Sequence, residues 1–173
     1  MIEKQYSEIL RDNGLLKKHF QGKPQIELKI LSNITLNQLA PLIEYSLRIE
    51  DINAHVEIGE YDNIIQESIA IEANCIPIIF WELSNLCEGF VYELEIGSND
   101  YFEKYVQKVE QEITLVLKNL EHTGIVIFNK FSHLSHTSNS ISVKKYERLR
   151  WLGLSAMHAQ YHPRSQRRWP ETS

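Results

Sequence analysis

The sequence predicts an open α/β domain, a doubly wound parallel sheet with helices on both faces in three layers. Two observations carry that expectation. Short Leu/Ile-rich runs of strand length alternate with longer segments of helical periodicity, in the order strand, helix, strand, helix or loop, strand, helix, strand. Alternation of this kind implies a parallel sheet with right-handed crossovers and helices on both faces.

The elements follow in chain order. In "EKQYSEILRDNGLLKKHF", Tyr6, Ile9, Leu10, Leu16 and Phe20 form a helical stripe interrupted by Gly14, so an N-terminal helix packed on the domain is expected. Beyond Gly22 and Pro24, "IELKILS" has the length and content of a strand. "TLNQLAPLIEYSLRIED" returns to helical spacing through Leu39, Leu42, Ile43 and Leu47. Pro41 belongs near the start of that helix, because an interior proline removes a hydrogen bond and clashes with the preceding turn. "NAHVEIG" is a second strand closed by Gly59. "CIPIIFWEL" is a third, with Pro77 near its beginning. Asp100 with Glu103 fits a capping box for a long helix whose apolar positions run from Phe102 to Leu120, and "GIVIFNKF" is a fourth strand. The expected strand order is 2-1-3-4, with the first strand central. The expected organisation is an N-terminal helix and linker over 1–24, the α/β domain over 25–143 and a basic irregular tail over 144–173.

At 173 residues, 43% apolar and 24% charged, the chain has the balance of one globular domain. No run of about eighteen apolar residues could span a bilayer and the N-terminus lacks a signal-peptide layout, so a cytoplasmic protein without membrane partners is expected. The net charge of −5 divides unevenly: residues 144–173 hold seven Lys/Arg against two Glu, and residues 1–143 hold eleven against twenty-one Asp/Glu. An acidic body argues against a nucleic-acid partner. Cys75 and Cys87 read as reduced thiols rather than a bridge, and no Cys/His spacing suggests a metal; no cofactor is expected.

In open parallel sheets ligands bind beyond the carboxyl ends of the strands. The residues there are Ser32 and Asn33 after the first strand, Gly59 after the second, Ser84 and Asn85 after the third, and His133 and His136 after the fourth. Ser32 offers a hydroxyl nucleophile. The Gly59 N–H and the Asn85 amide offer oxyanion donors, and His133 or His136 offers a base. Each also has a plainer use. Ser32, Asn33 and Thr35 can satisfy free N–H groups at the start of the next helix, and Gly59, Asn85 and "SHLSHTSNS" can be turn and loop residues.

"KILSNITLNQLAPLIEYSL" followed by "AHVEIGEYDNIIQE" resembles the N-terminal region of FkbH-like proteins, members of the haloacid dehalogenase superfamily, subfamily IIIC. The likeness rests on a strand ending LSN-x-T before a helix, then a second strand ending in a glycine-aromatic turn. It implies an SGNH-hydrolase-like, flavodoxin-like fold, with Ser32 on the first block of that superfamily, Gly59 on the second and Asn85 on the third. Asn33, Thr35 and Tyr61 would then border the substrate. The chain departs from the pattern: the first block reads Leu-Ser-Asn instead of Gly-Asp-Ser, no glycine precedes Asn85 in the third, and no D-x-x-H occurs. FkbH-like proteins continue into a haloacid dehalogenase-type domain that loads a glyceryl unit onto an acyl carrier protein, and the D-x-D of that domain is not found here. The resemblance thus implies an incomplete front domain that docks an acyl or glyceryl group or its carrier protein in a polyketide-like biosynthetic pathway. The alternatives are an SGNH-type esterase or acyltransferase using Ser32, or a fragment without independent activity.

Overall fold

The computed structural model describes residues 4–86 and 99–129. These comprise α1 (Tyr6–His19), β1 (Ile26–Ser32), α2 (Leu39–Ile49), β2 (Ala54–Ile58), α3 (Ile64–Ile69), β3 (Cys75–Phe80), α4 (Leu83–Leu86), α5 (Asn99–Asn119) and β4 (Ile127–Phe128). The chain forms two compact units, Met1–Glu82 with Asn119–Asn129, and Leu83–Lys118 with Lys130–Ser173.

The first unit holds a four-stranded sheet in the order β2-β1-β3-β4, and every pair is parallel. This is the order and sense expected from the sequence. Leu28, Ile30, Ala54, Val56 and Ile78 point to one face, where Leu39, Ala40, Ile43 and Leu47 of α2 pack on them. Residues of opposite parity face α3: Lys29 of β1 reaches Glu67 of α3 at 3.1 Å. Helices therefore cover both faces; β3 is apolar along its whole length, whereas β1 and β2 carry Glu27, Lys29, His55 and Glu57 at alternate positions.

Pro77 is buried in β3, an interior strand. The Asn33 N–H donates to Phe80 O and the Asn129 N–H to Ile79 O, so even-numbered residues of β3 bond toward β1 and odd-numbered ones toward β4. The missing N–H of Pro77 thus faces β4, whose ladder begins one step later at Ile78 with Ile127. Pro41 sits in the first turn of α2, as expected.

Some expectations need correction. In α1, Tyr6 and Leu10 are exposed and the buried residue is Asn13. Asp100 is not a cap, because α5 already begins at Asn99; its charge lies within the first turn, where the helix dipole favours it. β4 spans two residues only, with its following residues from 130 onward outside the described part. α2 has Gln38 at its N-cap with no side-chain cap, so Ser32, Asn33 and Thr35 do not serve that helix start.

The second unit's described residues are α4 and α5. The Lys108 ammonium donates to Leu86 O at 3.1 Å, linking the two. Along α5, Phe102, Val106, Val109, Ile113, Val116 and Leu117 are buried, following the stripe expected from the 3.6 period.

Candidate functional site at the carboxyl edge

Ser32 and Gly59 lie at the same edge, because β1 and β2 run parallel with Ile30 opposite Ile58. The loop after Gly59 returns over the end of β1: Asp62, in the left-handed region at φ 56°, donates its N–H to Ser32 O at 3.0 Å. Tyr61, 64% exposed, projects from that loop, and Thr35 is exposed on the segment after β1. Asn85 lies in α4 of the second unit and is exposed. His133, His136 and Cys87 lie outside the described residues.

The chemistry of the strand ends is largely committed to the fold. Ser32 is 4% exposed. Its Oγ accepts the Ile34 N–H at 3.0 Å and donates to Ile34 O at 2.9 Å, a local turn that closes the strand. The Gly59 N–H donates to Ile30 O at 2.8 Å and so continues the β1–β2 ladder instead of facing a substrate oxygen. Asn33 has no exposed surface. Its Oδ1 accepts the Glu82 N–H at 2.7 Å and its Nδ2 donates to Glu82 O at 2.9 Å, so the side chain extends the sheet by one rung between β1 and β3. Asn33 is thus a structural clamp between the end of β1 and the chain leaving β3.

Asn129, directly after β4, does the same from the other side. Its Oδ1 accepts the Trp81 N–H at 2.7 Å and its Nδ2 donates to Trp81 O at 3.0 Å. Two asparagines therefore hold consecutive residues of the chain leaving β3, where parallel neighbours no longer supply backbone partners. The signal was present in "IFN", an asparagine closing a strand as Asn33 does in "LSN".

Gly59 has a packing reason. A Cβ there would collide with the Glu67 carboxylate and approach Leu31 Cδ2 at 3.0 Å. Glu67 cannot easily move, since it accepts the Glu60 N–H at 3.0 Å and sits 3.1 Å from the Lys29 ammonium, which also meets Glu57 at 2.9 Å. The hydrogen bond to Glu57 is the main cause that raises the Lys29 pKa, against the effect of burial and with Glu67 adding to it. Gly59→Ala is expected to destabilise the protein by about 1–3 kcal/mol. Gly14→Ala, with open space around the added methyl, is expected to stabilise it by about 0.5–1 kcal/mol in α1. Urea unfolding of the two variants side by side checks both signs.

A recess of about 310 Å³ opens near the amino ends of the strands, lined among others by Lys29, Glu57, Glu72, Asn74 and Cys75. Burial, with Glu27 and Glu57 adding to it, pushes the Cys75 thiol up, away from the thiolate that nucleophilic chemistry needs. Among the described residues no group of three or more His, Cys, Asp or Glu could hold a metal ion, and no helix is long and apolar enough to cross a membrane.

No family model and no curated protein matches the chain. Among solved structures it is similar to the N-terminal part of the protein BF1531 from Bacteroides fragilis, described as containing a phosphatase domain complexed with Mg. The TM-score is 0.64 at 16% identity, over 93% of this chain and 44% of that one. This chain spans less than half the length of that structure. At such identity the likeness concerns the fold, an open α/β domain with an all-parallel four-stranded sheet flanked by helices.

Proposed function

We propose that the chain is an SGNH-like domain of FkbH type that binds or docks an acyl or glyceryl group, or the acyl carrier protein bearing it, without hydrolysing an ester. The observation that carries this reading is the state of Ser32: its hydroxyl is buried and bracketed by the N–H and C=O of Ile34. An alkoxide is inaccessible near neutral pH without a base, and general-base help is worth about 10²-fold to 10⁴-fold in rate. The Gly59 N–H is held in the sheet, so the donor that would receive an oxyanion is engaged as well. What remains presented at this edge is a surface, with Tyr61 and Thr35 exposed on loops anchored by the Asn33 clamp and the Asp62 N–H. The structural neighbour, an N-terminal part of a protein that contains a phosphatase domain, supports the FkbH-type placement, since such proteins pair the two kinds of domain.

The rival reading, an SGNH esterase or acyltransferase, draws support from the shared edge of Ser32 and Gly59. A fluorophosphonate probe and an activated short-chain ester separate the two. The expected outcome is no labelling and no turnover above that of Ser32→Ala in a folded sample. Labelling and turnover that vanish in Ser32→Ala would establish the esterase instead. In the same sample, titration with an acylated carrier protein followed by NMR is expected to perturb the amides around Thr35 and Tyr61; no perturbation at saturating carrier would remove the docking partner from the proposal.

A further inference from the structure

β2 is an edge strand of the sheet, and an exposed edge is a template for pairing with another chain. The Ile26 N–H donates to Asn53 O at 2.9 Å and the Gly59 N–H to Ile30 O at 2.8 Å, so odd-numbered residues of β2 bond inward to β1. Even-numbered residues turn their N–H and C=O outward. Two of those outward groups are the Ala54 C=O and the Val56 N–H, which a single residue of an added parallel strand would bridge.

Both groups are already taken by α2. Arg48 Nη2 donates to Ala54 O at 2.6 Å, and Glu44 Oε1 accepts the Val56 N–H at 3.1 Å. The guanidinium stands where a partner's N–H would be, and the carboxylate where its C=O would be. The two side chains are tied to each other at 2.9 Å, one helical turn apart, and Arg48 is fully buried. Asn13 of α1 fixes the pair from behind, donating to Glu44 Oε2 at 3.2 Å and accepting from Arg48 Nη1. His55 Nδ1 lies 3.3 Å from Glu44 Oε1 on the solvent side.

We infer that the Glu44–Arg48 pair is an edge lock, a side-chain imitation of one strand residue that closes β2 against strand addition by a second copy of this chain. A helix lying over the edge would shield it sterically; the lock also satisfies its backbone groups, so an incoming strand has nothing to gain at that step. The pair carries no net charge and its arms are cross-braced, which keeps it closed without an external partner.

Hydrogen exchange on the unaltered protein gives the first test. The outward Val56 N–H is expected to exchange as slowly as the inward ladder amides of His55 and Glu57; exchange at the rate of a free edge amide would overturn the lock. The second test removes the whole cluster as Asn13→Leu, Glu44→Leu and Arg48→Met, since replacing a buried ion pair with apolar side chains of similar volume is tolerated where removing one partner is not. Light scattering is expected to report a larger mass for the triple variant than for the unaltered protein, by multiples of the 20.3 kDa chain. A folded triple variant that stays monomeric at the same concentration would overturn the inference. Should the triple variant fail to fold, the exchange rate of Val56 in the unaltered protein decides alone.

Discussion

Replacing Arg48 with alanine is expected to cost about 3–5 kcal/mol, a large share of the stability of a domain whose total lies in the range of about 5–15 kcal/mol. The guanidinium is fully buried, and its loss takes a donor from the Ala54 carbonyl and the Asn13 amide oxygen and the balancing charge from the Glu44 carboxylate, which keeps its bonds from Val56 and Asn13. The size of the effect reflects the charge left behind more than the worth of the pair. Acid gives an independent reading of the same site. Burial alone would raise the Glu44 pKa, but hydrogen bonds from Val56, Asn13 and Arg48 outweigh it and hold the carboxyl below its ordinary value of 4.5. A depressed carboxyl contributes stability that is present above its unfolded pKa and is lost as pH falls through the folded one. The unaltered protein should therefore lose this contribution on acidification below the ordinary glutamate range. Arg48→Ala should lose less over the same interval, since only the Val56 and Asn13 hydrogen bonds then oppose the effect of burial on the carboxyl. Urea midpoints taken stepwise from neutral pH into that interval check the sign; parallel curves for the two proteins would show that Glu44 and Arg48 are not coupled.

The sheet was legible because its causes are local. Each of the first three strands is a run of five to seven residues rich in Ile, Leu or Val, set off from its neighbours by turn residues such as Pro24, Asn33, Gly59 and Asn74. The polar interior was not. Periodicity weighs apolarity alone, so the α1 stripe put Tyr6 and Leu10 inward, whereas the structure buries Asn13 for partners 31 and 35 residues further along. Glu44 and Arg48 have the one-turn spacing that exposed helix pairs share, so the spacing alone does not mark them. Their role depends on β2 being an edge, which is a property of strand order and not of either residue. Ser32, Asn33 and Gly59 close β1 and β2 as their place in the sequence implies, but the sequence does not tell which way their polar groups turn. Asn33 faces a residue 49 positions away, and the Gly59 N–H faces a carbonyl on the neighbouring strand. Serine and asparagine at a strand tip suit chemistry and structural closure equally well, and only the positions of their partners separate the two uses.

Asn33→Ala is expected to cost about 2–6 kcal/mol, because two backbone groups of Glu82 lose a hydrogen bond at once and each lost bond to a buried group costs about 1–3 kcal/mol. Asn33→Asp isolates the donor half of the clamp. The new carboxyl keeps an acceptor for the Glu82 N–H, but when ionised it turns a second oxygen toward the Glu82 carbonyl that Nδ2 now approaches at 2.9 Å. Protonated, it donates there and restores the rung. Its folded pKa must then exceed its unfolded one, so the stability it contributes is present at low pH and is lost as pH rises through the folded value. Measured against the unaltered protein at each pH, the Asn33→Asp deficit should shrink on acidification while that of Asn33→Ala stays constant. Asn129→Ala, which removes the matching clamp on Trp81, should behave as Asn33→Ala does. A pH-independent deficit in Asn33→Asp would mean that the Glu82 carbonyl finds another donor, and the clamp would then rest on the acceptor bond alone.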